Sequence, residues 1–190
     1  ITGDKYFGDI AKDVLAYVER VMTAPENTAG RGQGFYSAED AESALDAREP
    51  KVKEEGAFYV WKKEEIDELL GNDAEVFNYY FGVNVYGNAP QGSDPHSVFA
   101  EKNILYIAHS ISETSNKFEK PTDAVGQIIE EGKKILFEAR EKRPKSHLDD
   151  KILTTWNGLM ITAFAKAYQA FGEVKYLESA RKSAEFIITN

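Results

Sequence analysis

The stretch HLDDKILTTWNGLMITAFAKAYQAFG, residues 147–172, decides the fold. From Trp156 onward, Leu159, Met160, Ala163, Phe164, Ala167, Tyr168 and Phe171 recur at three- and four-residue steps, which is the period of one helix face. Ile161 and Ala165 widen that stripe until little polar face remains, so the pattern predicts a helix covered on more than one side. Gly172 stops it. Tyr176, Leu177, Ala180, Ala184, Ile187 and Ile188 then begin an ordinary one-faced helix. A buried helix followed by a one-sided partner is a helical hairpin that cannot bury its own face alone. The fragment KYLESARK (175–182) echoes KYFGDIAK (5–12), as a repeated hairpin would. Two arrangements fit: an open solenoid, or a closed toroid with buried inner helices. The all-round apolar helix favours the toroid.

Working outward, Tyr6, Phe7, Ile10, Ala11, Val14, Tyr17, Val18, Val21 and Met22 predict an amphipathic helix over residues 4–22, ended by Pro25 and the GRGQG cluster. The motifs GFYS and GAFYVW read as two short aromatic strands, a β-hairpin over residues 34–61 enclosing a variable charged loop. Alternation would then put Phe58 and Val60 on one face, Tyr59 and Trp61 on the other. Helices are expected over 62–70, 74–81 and 122–142, the last opening after Pro121, with a brief strand over 103–107. A helix already running at residue 4 and a helical pattern still running at Ile188 read as a single toroid fragment, cut at both ends from a longer chain.

Composition narrows the function classes. A formal net charge of −9 disfavours nucleic acid as a partner, because that affinity needs clustered Lys and Arg. No apolar run approaches the ~18–20 residues that cross a bilayer, so no membrane partner is expected. Cysteine is absent, and the three histidines, His96, His109 and His147, are scattered. Disulfides, thiol redox chemistry and a zinc site are therefore not expected, nor any cofactor. An acidic cytoplasmic protein is the expectation.

Four segments, GFYSAEDAES (34–43), EGAFYVWKKEEI (55–66), EKNILY (101–106) and RPKSHLDDKILTTWNGLMITAFAKAY (143–168), resemble the middle of the spermatogenesis-associated, thioredoxin-domain-containing family. In that family a thioredoxin-like domain precedes a toroid of the six-hairpin glycosidase and sugar-epimerase kind. The resemblance implies a mainly α fold, a partial (α/α)6 toroid with a short β-hairpin insertion. It also implies a thioredoxin-like domain elsewhere in the full-length chain and a sugar or polyol ligand. Without cysteine, this chain cannot supply the redox chemistry itself.

Candidate chemistry gathers in two tracts. In the first, Asp149, Asp150 and Lys151 stand at a toroid rim, with Trp156 as a platform for a sugar ring and Asn157 as a hydroxyl partner. Paired carboxylates are how glycosides are normally cut. The same acids equally suit a helix start, where negative charge is favoured by ~0.3–1 kcal/mol, with Trp156 as core. In the second, Glu39 and Asp40 follow Tyr36 and Ser37, facing a pocket mouth or forming an imperfect capping box. Trp61 would complete an aromatic lining with Tyr36 and Trp156, or simply clamp the hairpin onto the helices. No pair of histidines has the spacing of an epimerase proton shuttle, and GRGQG lacks the context of a phosphate loop.

Two functions follow. One is acid/base carbohydrate chemistry at Asp149, Asp150, Glu39 or Asp40. The other is a non-catalytic binding or scaffold module serving the thioredoxin-like domain. A truncated toroid would also expose apolar helix surface and self-associate.

Overall fold

A computed structural model describes residues 3–26, 33–90, 92–94 and 98–190. His96, Pro95 and the first three residues of GRGQG lie outside the described residues. The chain is mainly helical and divides into two compact units, residues 1–40 with 148–190, and residues 41–147.

The first unit opens with α1, Lys5–Val21, whose N-terminus is capped by Asp4 accepting from the Tyr6 N–H at 2.9 Å. After it, Thr23 forms a lone antiparallel bridge with Phe35, and Ala38–Glu39 (β1) pairs antiparallel with Leu148–Asp149 (β4). Helices α6, Thr154–Phe171, and α7, Val174–Thr189, form the expected hairpin. Gly172 permits the tight reversal, because its φ of 72° is a left-handed cap that glycine adopts without steric cost. Leu15 and Val18 of α1, Phe35, Phe164 and Ala167 of α6, and Tyr176 and Ala180 of α7 share one core. The rings of Phe35 and Phe164 stack 5.3 Å apart.

The helix over residues 155–171 is not covered all round. Trp156 is 53% and Leu159 73% exposed, and only Asn157, Phe164 and Ala167 are fully buried. Helix α1 likewise leaves Tyr6, Phe7, Ile10 and Val14 at the surface. A continuous apolar pattern records what a helix can bury, and among the described residues one side of α1 and of α6 is left exposed.

The second unit carries α2 (Lys63–Leu70), a 3₁₀ turn (Gly71–Asp73), α3 (Ala74–Tyr80), α4 (Ile111–Phe118) and α5 (Thr122–Arg140). Helix α4 starts on a full capping box, with Ser110 and Glu113 each bonding the other's backbone N–H. Trp61, Ile66, Val76, Phe77, Tyr80, Phe81, Val125, Ile129 and Leu136 form its core. Gly132, mid-helix in α5, lets the Phe77 ring come so close that a Cβ would meet it at 2.5 Å.

The hairpin expected over residues 34–61 pairs elsewhere. Glu42–Ala44 (β2) and Lys53–Glu55 (β3) form it, inside the tract read as loop. GFYS instead supplies the Phe35 bridge and leads into β1, and GAFYVW is a turn in which Tyr59 N–H donates to Gly56 O at 2.8 Å. That turn breaks the alternation: Phe58, Val60 and Trp61 are all buried, and Tyr59 is exposed. The strand expected over 103–107 shrinks to one bridge between Asn103 and Trp61. No helix among the described residues is long and apolar enough to cross a membrane.

Candidate functional site

The two acidic tracts meet in the first unit, because β1 and β4 lie side by side. Ala38 stands opposite Asp149 and Glu39 opposite Leu148, and the Ser37 N–H and Oγ both donate to Asp149 O at 3.3 and 3.1 Å. Directly opposite residues share a face and successive residues alternate, so the ladder sorts its carboxylates. Glu39 points to the face of Leu148, and Asp149 to the face of Ala38. Continuing the alternation by one residue places Asp150 with Glu39 and Asp40 with Asp149.

The two faces have different chemistry. On one, Tyr17 of α1 donates its hydroxyl to Glu39 Oε2 at 2.5 Å, while Asp150 is exposed. On the other, Lys151 Nζ lies 2.9 and 2.8 Å from the two Asp149 oxygens, at the surface. That hydrogen bond and charge hold the Asp149 carboxyl below the usual carboxylate range and push the Lys151 ammonium up. Asp40 is exposed. Tyr36 is half-buried, with its backbone N–H donating to Met22 O at 2.8 Å.

Asn157, read as a ligand partner, has no amide group left for one. It is 1% exposed, accepts the Phe35 N–H on Oδ1 at 2.7 Å, and donates from Nδ2 to Phe35 O at 2.9 Å and Leu153 O at 3.1 Å. Ser183 Oγ, fully buried on α7, adds a fourth bond to Oδ1 at 3.2 Å. The side chain stands where a β-ladder partner would, taking both backbone groups of Phe35. Gly34 is required beside it, since a Cβ there would sit 2.7 Å from the Ile152 side chain.

Trp61 belongs to the second unit and is not a platform. It is 3% exposed, with the Arg143 guanidinium 3.9 Å above its ring. Arg143 Nη1 donates to Val60 O at 2.7 Å and Phe58 O at 3.2 Å, and Nη2 to Glu65 at 3.3 Å. Arginine over tryptophan is here a clamp on the GAFYVW turn. In the same unit Asn103, fully buried, donates from Nδ2 to Trp61 O and Asn84 O and accepts Asn84 N–H at 2.9 Å.

Of the residues singled out from sequence, then, Glu39 and Asp149 come together in the β1–β4 ladder, with Asp40, Asp150 and Lys151 one or two residues beyond it. Trp156 stands exposed at the start of α6, Asn157 is internal, and Trp61 lies in the other unit. Tyr17 and the buried Asn103 were missed, and Asn157 was read as a ligand partner rather than as an internal bond. Asn157 carried a signal: it stands seven residues before Phe164, on the stripe that α6 buries. Among the described residues no three His, Asp or Glu side chains are grouped as a metal would require.

No family model matches the chain. Known proteins do. An uncharacterised protein of Caenorhabditis elegans is 40% identical over 185 residues, 94% of this chain and 24% of that protein. Spermatogenesis-associated protein 20 of Mus musculus is 34% identical over 197 residues, and that of Homo sapiens 33% over 198, each covering 98% of this chain and 24% of the relative. The similarity supports the spermatogenesis-associated family. The chain spans about a quarter of the length of these relatives.

Proposed function

We propose that this chain is part of a helical-hairpin toroid within a longer spermatogenesis-associated protein, and that its β1–β4 end is a binding surface serving the thioredoxin-like domain that the resemblance implies. The observation that carries this reading is that Glu39 and Asp149, the two carboxylates inside the ladder, do not converge. A retaining or inverting pair must converge on one bond, at ~5–5.5 Å or ~6.5–9.5 Å. Here alternation separates Glu39 from Asp149, and Asp149 is neutralised in solvent by Lys151. Close to these acids in sequence, Trp156 and Leu159 present apolar side chains at the surface, as a docking face does. Hydrogen–deuterium exchange on the full-length protein tests it. Trp156→Glu with Leu159→Glu raises exchange in the thioredoxin-like domain if that domain docks here, and unchanged exchange overturns the reading.

A specific observation favours a second reading, acid/base chemistry on a carbohydrate. Extended one residue past the β1–β4 ladder, the alternation puts Asp150 on the face of Glu39, so two carboxylates share that side. Saturable heat from mono- or disaccharides, abolished by Asp150→Asn with the fold intact, would establish it. Absence of heat removes it.

A further inference from the structure

The first unit also contains a hollow of about 220 Å³ that the acidic ladder does not use, lined by Glu19 and Thr23 near the end of α1, by Gln33 and Phe35, and by Ser179 of α7. Its polar lining is unbalanced. Thr23 Oγ1 donates to Val18 O at 2.8 Å, so the proton of that hydroxyl is engaged within the protein. Ser179 Oγ has one proton, directed at Glu19 Oε1 at 2.8 Å or Lys175 O at 3.1 Å. Gln33 gives one amide N–H to Ala24 O at 3.1 Å, and its backbone N–H goes to Lys182 O at 3.3 Å. The Phe35 N–H is taken by Asn157.

What remains toward the hollow is mostly acceptor: the second Glu19 oxygen, Gln33 Oε1 and the lone pairs of two hydroxyls, against one Gln33 N–H. Among the described residues, Glu19 is also the one charged group of the lining. Lys175, within electrostatic reach of Glu19, is held instead by Glu173 at 3.5 Å and lies over the Tyr176 ring at 4.8 Å. A ligand suited to this lining brings several N–H donors and a positive charge, because charge-assisted N–H bonds to a carboxylate are the strong ones. A polyol brings donors but no charge, and an anion brings neither.

We propose that this hollow is a binding site for the cationic, N–H-donating end of a small molecule, an alkylammonium or a guanidinium group, with Glu19 as its counter-ion. The site is separate from the carboxylates of the β1–β4 ladder, so its fate is independent of the function proposed above.

Titration of the 190-residue chain with n-propylammonium and with methylguanidinium, followed by amide NMR, tests it, with glycerol as the uncharged comparison. The expected result is a saturable shift at the Gln33 side-chain amide and the Ser179 backbone amide with at least one cation, and none with glycerol. Glu19→Gln weakens that binding at least tenfold. Ser179→Ala, which releases a carboxylate oxygen, leaves it equal or tighter, and Asp150→Asn leaves it unchanged. If Glu19→Gln unfolds the chain, the Ser179→Ala and glycerol results decide. No shift with either cation, an equal response to glycerol, or a weaker Ser179→Ala overturns the assignment.

Discussion

Asn157 shows how one buried amide can hold a chain crossing that has almost no sheet behind it. Its carbonyl and amino groups take both backbone groups of Phe35, so a shape-preserving loss of the amide leaves a buried donor and acceptor unpaired. Each such group costs about 1–3 kcal/mol. Asn157→Leu should therefore lose about 2–4 kcal/mol in urea denaturation, with near-ultraviolet circular dichroism reporting looser packing at Phe35. Asp149 makes the opposite case, a charge whose partner is in water. Its carboxyl is depressed by Lys151, so whatever the pair contributes is present above the unfolded carboxylate pKa and is lost as pH falls through the lower folded value. Lys151→Ala should return the Asp149 titration, followed by carboxyl NMR, to the ordinary range, with stability at neutral pH nearly unchanged, since exposed pairs contribute little.

At the level of elements, helices were legible and strands were not. The period in α1, α5, α6 and α7 spans several turns, and long repetition identifies a helix even where its partners are unknown. The ladders are two and three residues long, too short to print an alternating pattern in the sequence, and the β1–β4 pairing joins residues more than a hundred positions apart. GAFYVW misled for a related reason. Its aromatics suit a strand, but Gly56 turns the chain, at φ 70°, and Arg143 binds the turn's carbonyls from far along the sequence. Glycine inside α5 is equally opaque in sequence, since its use is the seat it makes for Phe77. Gly132→Ala gains up to about 1 kcal/mol of helix propensity. It also forces a methyl group into that ring, and overpacking of this kind costs about 1–3 kcal/mol. The expected net effect is a lower denaturation midpoint with an unchanged slope.

Taken as a whole, the molecule leaves Tyr6, Phe7, Ile10 and Val14 on α1, and Trp156 and Leu159 on α6, in water. The apparent mass of the chain in sedimentation velocity should rise with concentration, and Phe7→Glu with Leu159→Glu should return it toward the monomer. The candidate site was legible in part at this scale. Its acids were found from their clustering with aromatics, but which of them share a face depended on the β1–β4 register, and no local pattern carries that. The register has a further consequence for the chain as it is made. Residues 41–147 intervene between the two halves of the first unit and take roughly 5–20 s to synthesise at ~5–20 residues per second. Helix α1 thus leaves the ribosome before the α6–α7 hairpin and completes its core only after Phe164 and Tyr176 have followed it out. For that interval its Leu15 and Val18 face is a sticky nascent segment, open to a chaperone or to aggregation until the hairpin that covers it has been made.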